Sequence, residues 1–258
     1  MSENNNNCDV YNYLIWGDYN KRISDLAAMA LNEPWSFAGK NDNFILKNYL
    51  KHTFFKLQEE NKVLETEKYC VFNTGLFTPY YEQIFVCGEK DTSLVQETKW
   101  KFKSFHTKYE LGYLDIQDCP ERADYFMDPS LLVFDCRCNI NINYRHILED
   151  EENKLRLPDY VIKAERPEWE LEGSVNNAIK RVTANYKLAV PQYFNSKIQL
   201  LLPLCFGKEN KPYLALALTK MKGDYYQGHT CLTMEMAYNN ARLISKPESN
   251  WLLPQEIN

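Results

Sequence analysis

The sequence predicts an α+β protein: a single domain with a mostly antiparallel or mixed sheet flanked by helices. Amphipathic helical segments come first, strand-like segments dominate the last third, and neither an internal repeat nor a long Gly/Ser/Pro-rich linker separates them. Hydrophobic residues make up 45% of the 258 residues, enough for one large core or two small ones. The predicted domain covers residues 9–258, with an internal split near 110–135 as the alternative. Residues 1–8 are polar and low in complexity, which predicts a disordered tail.

Two amphipathic helices are predicted first. In residues 23–31 apolar side chains recur at helical spacing, Ser24 is placed to cap the helix, and Pro34 ends the segment. In residues 44–61 the apolar side chains lie along one stripe. These helices form either a layer packed on a sheet or, with the strands that follow, a small winged-helix-like lobe.

Short strands follow the helices. Each is an apolar or alternating run bounded by turn residues, at 69–72, 83–87, 100–105 and 139–143. The first is expected to end at a turn over 73–76, and residues 120–129 are expected to form a loop with a short helix. In the last strand Ile140 and Ile142 are expected to face the core, with the asparagines outside.

The last third of the chain is rich in predicted strands. A helix over 174–186, started by Gly173-Ser174, precedes them, and its buried stripe is predicted to be Val175, Ala178, Ile179, Val182 and Tyr186. The strands are predicted at 187–194, 197–206, 213–220 and 225–232, before a final helix at 233–244.

Charge and cysteine content narrow the function classes. A net charge of −5 argues against attraction of nucleic acid to the whole surface, although a local basic cleft stays open. The eight cysteines form no CxxC pair, and Cys136 and Cys138 have no second pair at zinc spacing, which predicts free thiols in a reducing compartment. Neither a signal peptide nor an apolar run of about 18 residues occurs, so we expect a cytoplasmic protein that does not enter membranes.

The common catalytic motifs are absent from the sequence. It has no P-loop, no dinucleotide-binding glycine pattern, no HExxH and no GxSxG, so it identifies no cofactor. The four histidines are not at metal-ligand spacing, and no metal site is predicted. His146 is the best candidate for a general base, because an imidazole titrates near neutral pH, although a structural role fits as well. The acidic run 149–152 suits either Mg²⁺ or a solvated helix end.

Cationic, amide and phenolic side chains concentrate at predicted strand ends and helix faces. Arg and Lys bind phosphate, Asn and Gln read base edges, and Tyr stacks on bases. Gln199 stands within an apolar run, so we expect it to be buried with a partner or to line a pocket. The alternative is that these are ordinary surface and capping residues. The predicted ligand-binding set is Asn73, Thr74, Tyr80, Arg137, Tyr144, Asn177, Lys180, Arg181, Asn185, Lys187, Gln192, Tyr193, Gln199, Asn239, Asn240 and Arg242.

Several segments resemble a known family. "EPWSF", "FNTGLFTPYYE", "NYRHILEDEEN", "IKRVTANYKLAVPQYFNSKIQLLLPLCF" and "LTMEMAYNNARLI" are closely similar to the bacterial and phage-associated domain of unknown function 3825, from about Leu26 to Trp251. The resemblance implies membership and no particular activity. It also implies that relatives are fused to RNA-binding LOTUS-type or OB-type modules. This chain is expected to lack such a module, so an RNA role would depend on this domain alone.

The leading hypothesis is a nucleotide- or RNA-binding domain that recognises a phosphate-bearing ligand in a polar cleft. Its expected partners are a nucleotide, a cyclic oligonucleotide or a short RNA. One alternative is a phosphodiesterase or nucleotide hydrolase with His146 as the base, so the sequence leaves open whether the protein is an enzyme. Another is a non-cleaving sponge for small nucleotides that blunts host defence signalling. The oligomeric state stays open.

Overall fold

The computed structural model describes residues 9–92, 100–126, 128–207 and 211–257, and the expected tail at 1–8 lies outside them. The chain divides into two compact units, Met1–Asp124 and Tyr125–Asn258. Each unit holds a mixed five-stranded sheet with helices, which confirms the α+β class. The strands expected in one sheet form two. The unit boundary falls within the predicted interval 110–135, while the number of independently folding domains stays a prediction.

The first unit carries a sheet with the order β1-β5-β4-β3-β2. Strand β1 pairs in parallel with β5, and the other pairs are antiparallel. The elements are α1 (Val10–Tyr13), β1 (Leu14–Ile15), α2 (Tyr19–Met29), α3 (Phe44–Glu59), β2 (Leu64–Glu65), β3 (Tyr69–Phe77), β4 (Gln83–Lys90), β5 (Trp100–His106) and α4 (Lys108–Gly112).

Helix α3 packs on the sheet, as the helical-layer interpretation expects. The Phe54 ring lies 4.8 Å from the Phe72 ring of β3, measured between centroids. The Tyr49 hydroxyl donates to the Thr74 carbonyl at 2.9 Å. One apolar stripe of α3 therefore lies over β3.

Two predicted boundaries in this unit are wrong. Helix α2 begins at Tyr19, because the Asp18 carboxylate accepts from the Lys21 N–H at 3.1 Å and caps the helix there. Ser24, the predicted cap, lies inside the helix and donates to the Asn20 carbonyl. The predicted turn at 73–76 is part of β3, which continues to Phe77 through an irregularity in its pairing with β4. A glycine with a φ of +75° at position 75 lets the strand continue there.

Glu60 makes the stability of the first unit depend on pH. Its carboxylate contacts the ammonium groups of Lys56 at 2.8 Å and Lys62 at 3.0 Å, and accepts from the Asp124 N–H at 3.1 Å. Burial by itself would raise the pKa of Glu60, but these hydrogen bonds outweigh it and hold the pKa below its usual value. The ionised form therefore stabilises the fold above the pKa of the unfolded chain, and this contribution is lost as the pH falls through the folded pKa.

We accordingly expect Glu60→Gln to lower the urea midpoint of unfolding at pH 7 and to have progressively less effect as the pH is lowered toward 3. Urea titrations at several pH values measure this difference. The matched control is Glu67→Gln, since Glu67 is exposed on the surface. A Glu60→Gln effect of equal size at every pH would contradict the role of the ionised carboxylate.

The second unit carries a sheet with the order β6-β10-β9-β8-β7. Strand β6 pairs in parallel with β10, and the other pairs are antiparallel. The elements are β6 (Asn139–Ile142), α5 (Tyr144–Glu149), α6 (Glu151–Lys154), α7 (Asp159–Ile162), α8 (Pro167–Ala184), β7 (Val190–Phe194), β8 (Lys197–Leu204), β9 (Leu214–Met221), β10 (Tyr225–Leu232) and α9 (Met234–Ile244).

The two sheets share one topology. In each, four consecutive strands form an antiparallel meander, and the first strand of the unit pairs in parallel with the last of the four. The sequence shows no matching internal repeat. The two sheets therefore have the same strand order although their sequences are not similar.

Helix α8 covers one face of the second sheet. Its buried residues Val175, Ala178 and Val182 pack with Leu202 and Leu216, and the inward Ile140 of β6 joins them, as predicted. The predicted helix start is wrong, because α8 begins at Pro167. A proline at the first helical position costs no hydrogen bond, and Glu168 and Glu170 favour the helix N-terminus.

The end of this helix also differs from the prediction. Helix α8 stops at Ala184, and the short 3₁₀ turn Tyr186–Leu188 follows, so Tyr186 is 60% exposed and does not belong to the buried stripe. Lys187 lies in this turn, and β7 begins at Val190. The Asn185 side chain causes the change, because it accepts from the Lys187 N–H at 3.2 Å.

Candidate functional site

A cavity of about 260 Å³ lies in the second unit at the C-terminal end of α8. We call it the Arg181 cavity. Its wall comes from α8, the turn Tyr186–Leu188, the residues before β9, the start of α9 and the C-terminal segment. The lining residues are Arg181, Leu188, Lys211, Pro212, Met234, Asn250, Trp251, Leu253, Glu256 and Ile257.

Arg181 is the predicted ligand residue in this wall. It lies in the last turn of α8, where the helix dipole favours a cation, and it is half-buried. Its Nη1 donates to the Sγ of Cys205 at 2.7 Å. Burial raises the pKa of the Cys205 thiol, and the nearby Arg181 offsets part of that rise. One donor of the guanidinium thus anchors it, and the other donors can meet an anion.

The rest of the lining divides into polar and apolar parts. Lys211 adds a second positive charge, Glu256 adds one negative charge, and Asn250 supplies an amide. All three are exposed, so their polar groups reach solvent. Trp251, which is 8% exposed, belongs to the apolar part. This combination of an apolar wall with a few convergent polar groups is typical of small-ligand sites.

The C-terminal segment is held in place by two hydrogen bonds to the turn Tyr186–Leu188. The Ser249 hydroxyl donates to the Lys187 carbonyl at 3.1 Å, and the Trp251 indole N–H donates to the Leu188 carbonyl at 2.9 Å. Sequence reasoning missed Lys211, Asn250 and Trp251. A tryptophan inside the polar stretch "ESNWLL" was the available signal, but the contacts span more than 60 positions, which no local pattern encodes.

The predicted residues of the first unit have structural roles. Asn73 donates to the Gln83 side chain at 3.0 Å and accepts from the Gly75 N–H at 2.9 Å. The Thr74 hydroxyl donates to the Ile84 carbonyl at 2.7 Å. Asn73 and Thr74 are fully buried inside β3, whereas Tyr80 is 85% exposed in the turn after it. The first two hold the irregular part of β3 together, and a ligand role for the three stays a prediction.

Three predicted amide residues of the second unit form a polar row that crosses its sheet. Asn240 on α9 donates to Gln192 at 3.1 Å, Gln192 donates to Gln199 at 2.8 Å, and Gln199 donates to Thr219 at 2.9 Å. Gln192 faces Gln199 directly in the β7–β8 pairing. Gln192 is 1% exposed and the others are half-buried. Both polar atoms of the Gln199 amide therefore bond to side chains, those of Gln192 and Thr219, within this row.

Other predicted residues lie on the surface of the second unit. Asn177, Lys180, Asn185 and Lys187 are exposed, and Asn185 caps the turn that follows α8. Arg137 is 86% exposed and forms a bidentate ion pair with Asp135, at 2.8 and 2.9 Å. These residues do not line the Arg181 cavity.

The remaining predicted residues are more buried. Tyr144 packs against the core cluster under α8, and burial raises its pKa. The Tyr193 ring meets Tyr125 edge to face, with centroids 4.8 Å apart. Asn239 and Arg242 are 9% and 7% exposed on α9, and the Asn239 Oδ1 atom is buried with no hydrogen-bond partner. Their ligand roles stay predictions.

His146 belongs to a hydrogen-bonded cluster around Asn153. Its Nε2 lies 3.2 Å from the Asn153 Nδ2, which also donates to Asp150 at 3.1 Å. The Asn153 Oδ1 accepts from Arg156 at 3.0 Å and from the Thr230 hydroxyl. The cluster ties α5 and α6 to β10. His146 does not line the Arg181 cavity, and its catalytic role stays a prediction.

The described residues also bear on metal binding and on membrane insertion. Within the described ranges, His, Cys, Asp and Glu side chains form no group of three suited to a metal ion. The acidic run instead caps α6, where Asp150 accepts from the Asn153 N–H at 3.0 Å. None of the described helices has both the length and the apolar content that crossing a bilayer requires.

Comparison with known families identifies the chain. The model of the family described as Domain of unknown function (DUF3825) matches residues 26–251. The chain belongs to this family. The match includes α8, most of the Arg181 cavity and the Asn153 cluster, and it stops at Trp251. Neither a curated protein nor a solved structure matches the chain. Family membership therefore assigns no activity to these sites.

Proposed function

We propose that this DUF3825 protein binds a phosphate-bearing ligand, either a nucleotide or the end of a short RNA, in the Arg181 cavity. One observation carries the proposal: Arg181 and Lys211 line a single cavity together with the buried Trp251. The position of the chain in the reducing cytoplasm is part of the proposal. Its described cysteines are free thiols, which supports that compartment.

The charges in the wall favour a phosphate. A guanidinium can bind two phosphate oxygens at once, and a lysine ammonium adds a point charge. The wall has two cationic side chains and one carboxylate, whereas the whole chain has a net charge of −5. The attraction is therefore local, and it favours a small anion over a long polyanion such as duplex nucleic acid.

The size and apolar part of the wall favour a nucleotide over free phosphate. A volume of about 260 Å³ lies just below the usual range of ligand pockets, about 300–1,000 Å³, so it suits a ligand no larger than one nucleotide. Leu188, Met234 and Ile257 offer apolar surface for a base or ribose, and Asn250 offers an amide for a base edge. His146 lies in a separate cluster, so the geometry favours binding over hydrolysis.

Equilibrium binding to nucleoside mono- and diphosphates, cyclic dinucleotides and 5′-phosphorylated short RNAs tests the proposal. We expect Lys211→Ala and Arg181→Gln each to raise Kd by about 10- to 100-fold, since a hydrogen bond to a charged group contributes roughly 1.5–3 kcal/mol. Lys211 is exposed, so its replacement should leave the fold intact. Chromatography of the ligand after denaturation shows whether it is intact.

The matched control is Lys222→Ala, which removes an exposed lysine from the turn between β9 and β10. It should change Kd by less than about twofold. Absence of binding to every ligand, or equal losses in Lys211→Ala and Lys222→Ala, would overturn the proposal. Recovery of a cleaved ligand would instead assign a hydrolase to this site.

A further inference from the structure

A second feature of this unit lies outside the Arg181 cavity, in the turn from Asp135 to Cys138. The Cys138 N–H donates to the Asp135 carbonyl at 3.1 Å and closes a β-turn. The turn carries two free cysteines on either side of Arg137: Cys136 is exposed, and Cys138 is 9% exposed. An exposed thiol thus lies two positions from a nearly buried one.

Cys138 has a cation directly beside its sulfur. The Lys220 Nζ lies 2.6 Å from the Cys138 Sγ and 4.9 Å from the centroid of the Tyr226 ring. Tyr226 is itself fixed, because its ring stacks on Phe134 at 5.0 Å and its hydroxyl accepts from the Asp135 N–H at 3.0 Å. The contact thus places a positive charge directly beside the sulfur that would react with an oxidant.

Another charged pair also lies at the turn. The Asp135 carboxylate is also within hydrogen-bonding reach of Cys138, but it is paired with both donors of the Arg137 fork. That ion pair neutralises the carboxylate nearest to the thiol. Lys220 is therefore the cation that acts on Cys138.

Cysteines elsewhere in the described structure provide a contrast. Burial raises the pKa of Cys70 to about 12 and that of Cys231 to about 12, so both stay protonated at neutral pH. A protonated, buried thiol is inert toward oxidants. Burial likewise raises the pKa of the other described thiols outside the turn, Cys87, Cys119 and Cys205. Among the described cysteines we therefore expect oxidation at the turn that carries Cys136 and Cys138.

We propose that Cys138 is a modification site for peroxide and that Cys136 resolves the product into a Cys136–Cys138 disulfide. In the first step the Cys138 sulfur attacks one oxygen of hydrogen peroxide, the O–O bond breaks, the thiol proton goes to the leaving oxygen, and sulfenic acid and water form. In the second step the Cys136 sulfur attacks the Cys138 sulfur, the S–O bond breaks, and water leaves. The two thiols lose two electrons and two protons in total, and one peroxide becomes two waters.

The spacing of the two cysteines allows this bond. Because a chain spans at most about 3.6 Å per residue, residues two apart lie no more than about 7 Å apart between Cα atoms, which overlaps the range of about 4.4–6.8 Å seen in disulfides. Cys136 is at the second and Cys138 at the fourth position of the turn. Exposure of Cys136 also keeps the bond accessible to cellular reductants.

Mass spectrometry of the full chain after treatment with equimolar hydrogen peroxide tests the proposal. We expect a loss of about 2 Da in the peptide containing Cys136 and Cys138, reversed by dithiothreitol. In Cys136→Ser, dimedone should label Cys138. Lys220→Met should slow oxidation by roughly tenfold or more, while Lys220→Arg should retain most of the rate because it keeps the charge.

The matched control is Lys222→Met, which should oxidise at the wild-type rate because Lys222 is exposed in the next turn. Three results would overturn the proposal: dimedone labelling of Cys136 in preference to Cys138, an unchanged rate in Lys220→Met, or a cross-link from Cys138 to Lys220 in place of the disulfide. These oxidation measurements do not depend on nucleotide binding. If the protein bound no nucleotide, the expected results of this test would be the same.

Discussion

Replacing Asn153 with leucine is expected to lower the free energy of unfolding by about 2–4 kcal/mol, since each buried polar group left without a partner costs roughly 1–3 kcal/mol. Asn153 is 4% exposed, accepts from Arg156 and Thr230, and donates to Asp150. Leucine has a similar volume but removes all of these bonds. Arg156 keeps its bonds to the Cys231 carbonyl at 3.1 Å and to the Thr230 hydroxyl at 3.4 Å, which limits the loss. Urea unfolding measures the change.

Two further variants separate hydrogen bonding from packing at this position. Asn153→Asp keeps an acceptor for Arg156 and Thr230 but loses the donor to Asp150, so we expect a smaller loss than for leucine. Asn177→Leu makes the same change at an exposed position of α8 and should change stability by less than about 0.5 kcal/mol. Equal losses at positions 153 and 177 would show that the cluster does not stabilise the unit.

Replacing Gly88 with alanine is expected to destabilise the first unit by roughly 2–3 kcal/mol, near the upper end for overpacked cores. A Cβ there would lie 2.5 Å from the Leu14 Cδ1, 2.6 Å from the Cys70 Sγ and 3.3 Å from the Lys101 carbonyl oxygen. Leu14 and Cys70 are both fully buried, so neither side chain can move away without disturbing the sheet. The lower urea midpoint of Gly88→Ala measures this cost.

Gly173→Ala is the matched change with the opposite expected sign. Gly173 lies inside α8, and a Cβ there would meet no atom within 4 Å. Alanine should therefore stabilise the helix by about 1 kcal/mol, because glycine is the weaker helix former. An unchanged urea midpoint in Gly88→Ala would contradict the prediction, because β4 would then have to move far enough to make room for the added Cβ.

Local sequence patterns predicted many of the elements well. Helix α3, strand β10 and helix α9 lie close to their expected bounds, because period and capping are encoded within each segment. The predictions failed where one side chain decides a boundary. Asp18 starts α2 early, Pro167 starts α8 early, and Asn185 ends the helix and creates the turn that contains Lys187.

The candidate site shows a similar division. Gln199 was expected to be buried with a partner or to line a pocket, and it is half-buried and bonds Gln192 across β7 and β8. Arg181 was expected to bind phosphate, and it lines a cavity. Lys211 and Trp251 were missed, because they reach that cavity from segments far from α8 in the chain. The charge and burial of one residue do not reveal which distant segment of the chain packs against it.

The sequence by itself determined the α+β class, the family and most helices and strands, since these depend on periodicity and on motifs within short segments. Only the tertiary structure decided that the strands form two sheets with one strand order, because pairing between distant strands depends on packing that no single segment encodes. It also decided which polar side chains meet. Asn240 joins the Gln192 row through the packing of α9 on β7, and Lys220 reaches Cys138 across 82 positions of the chain.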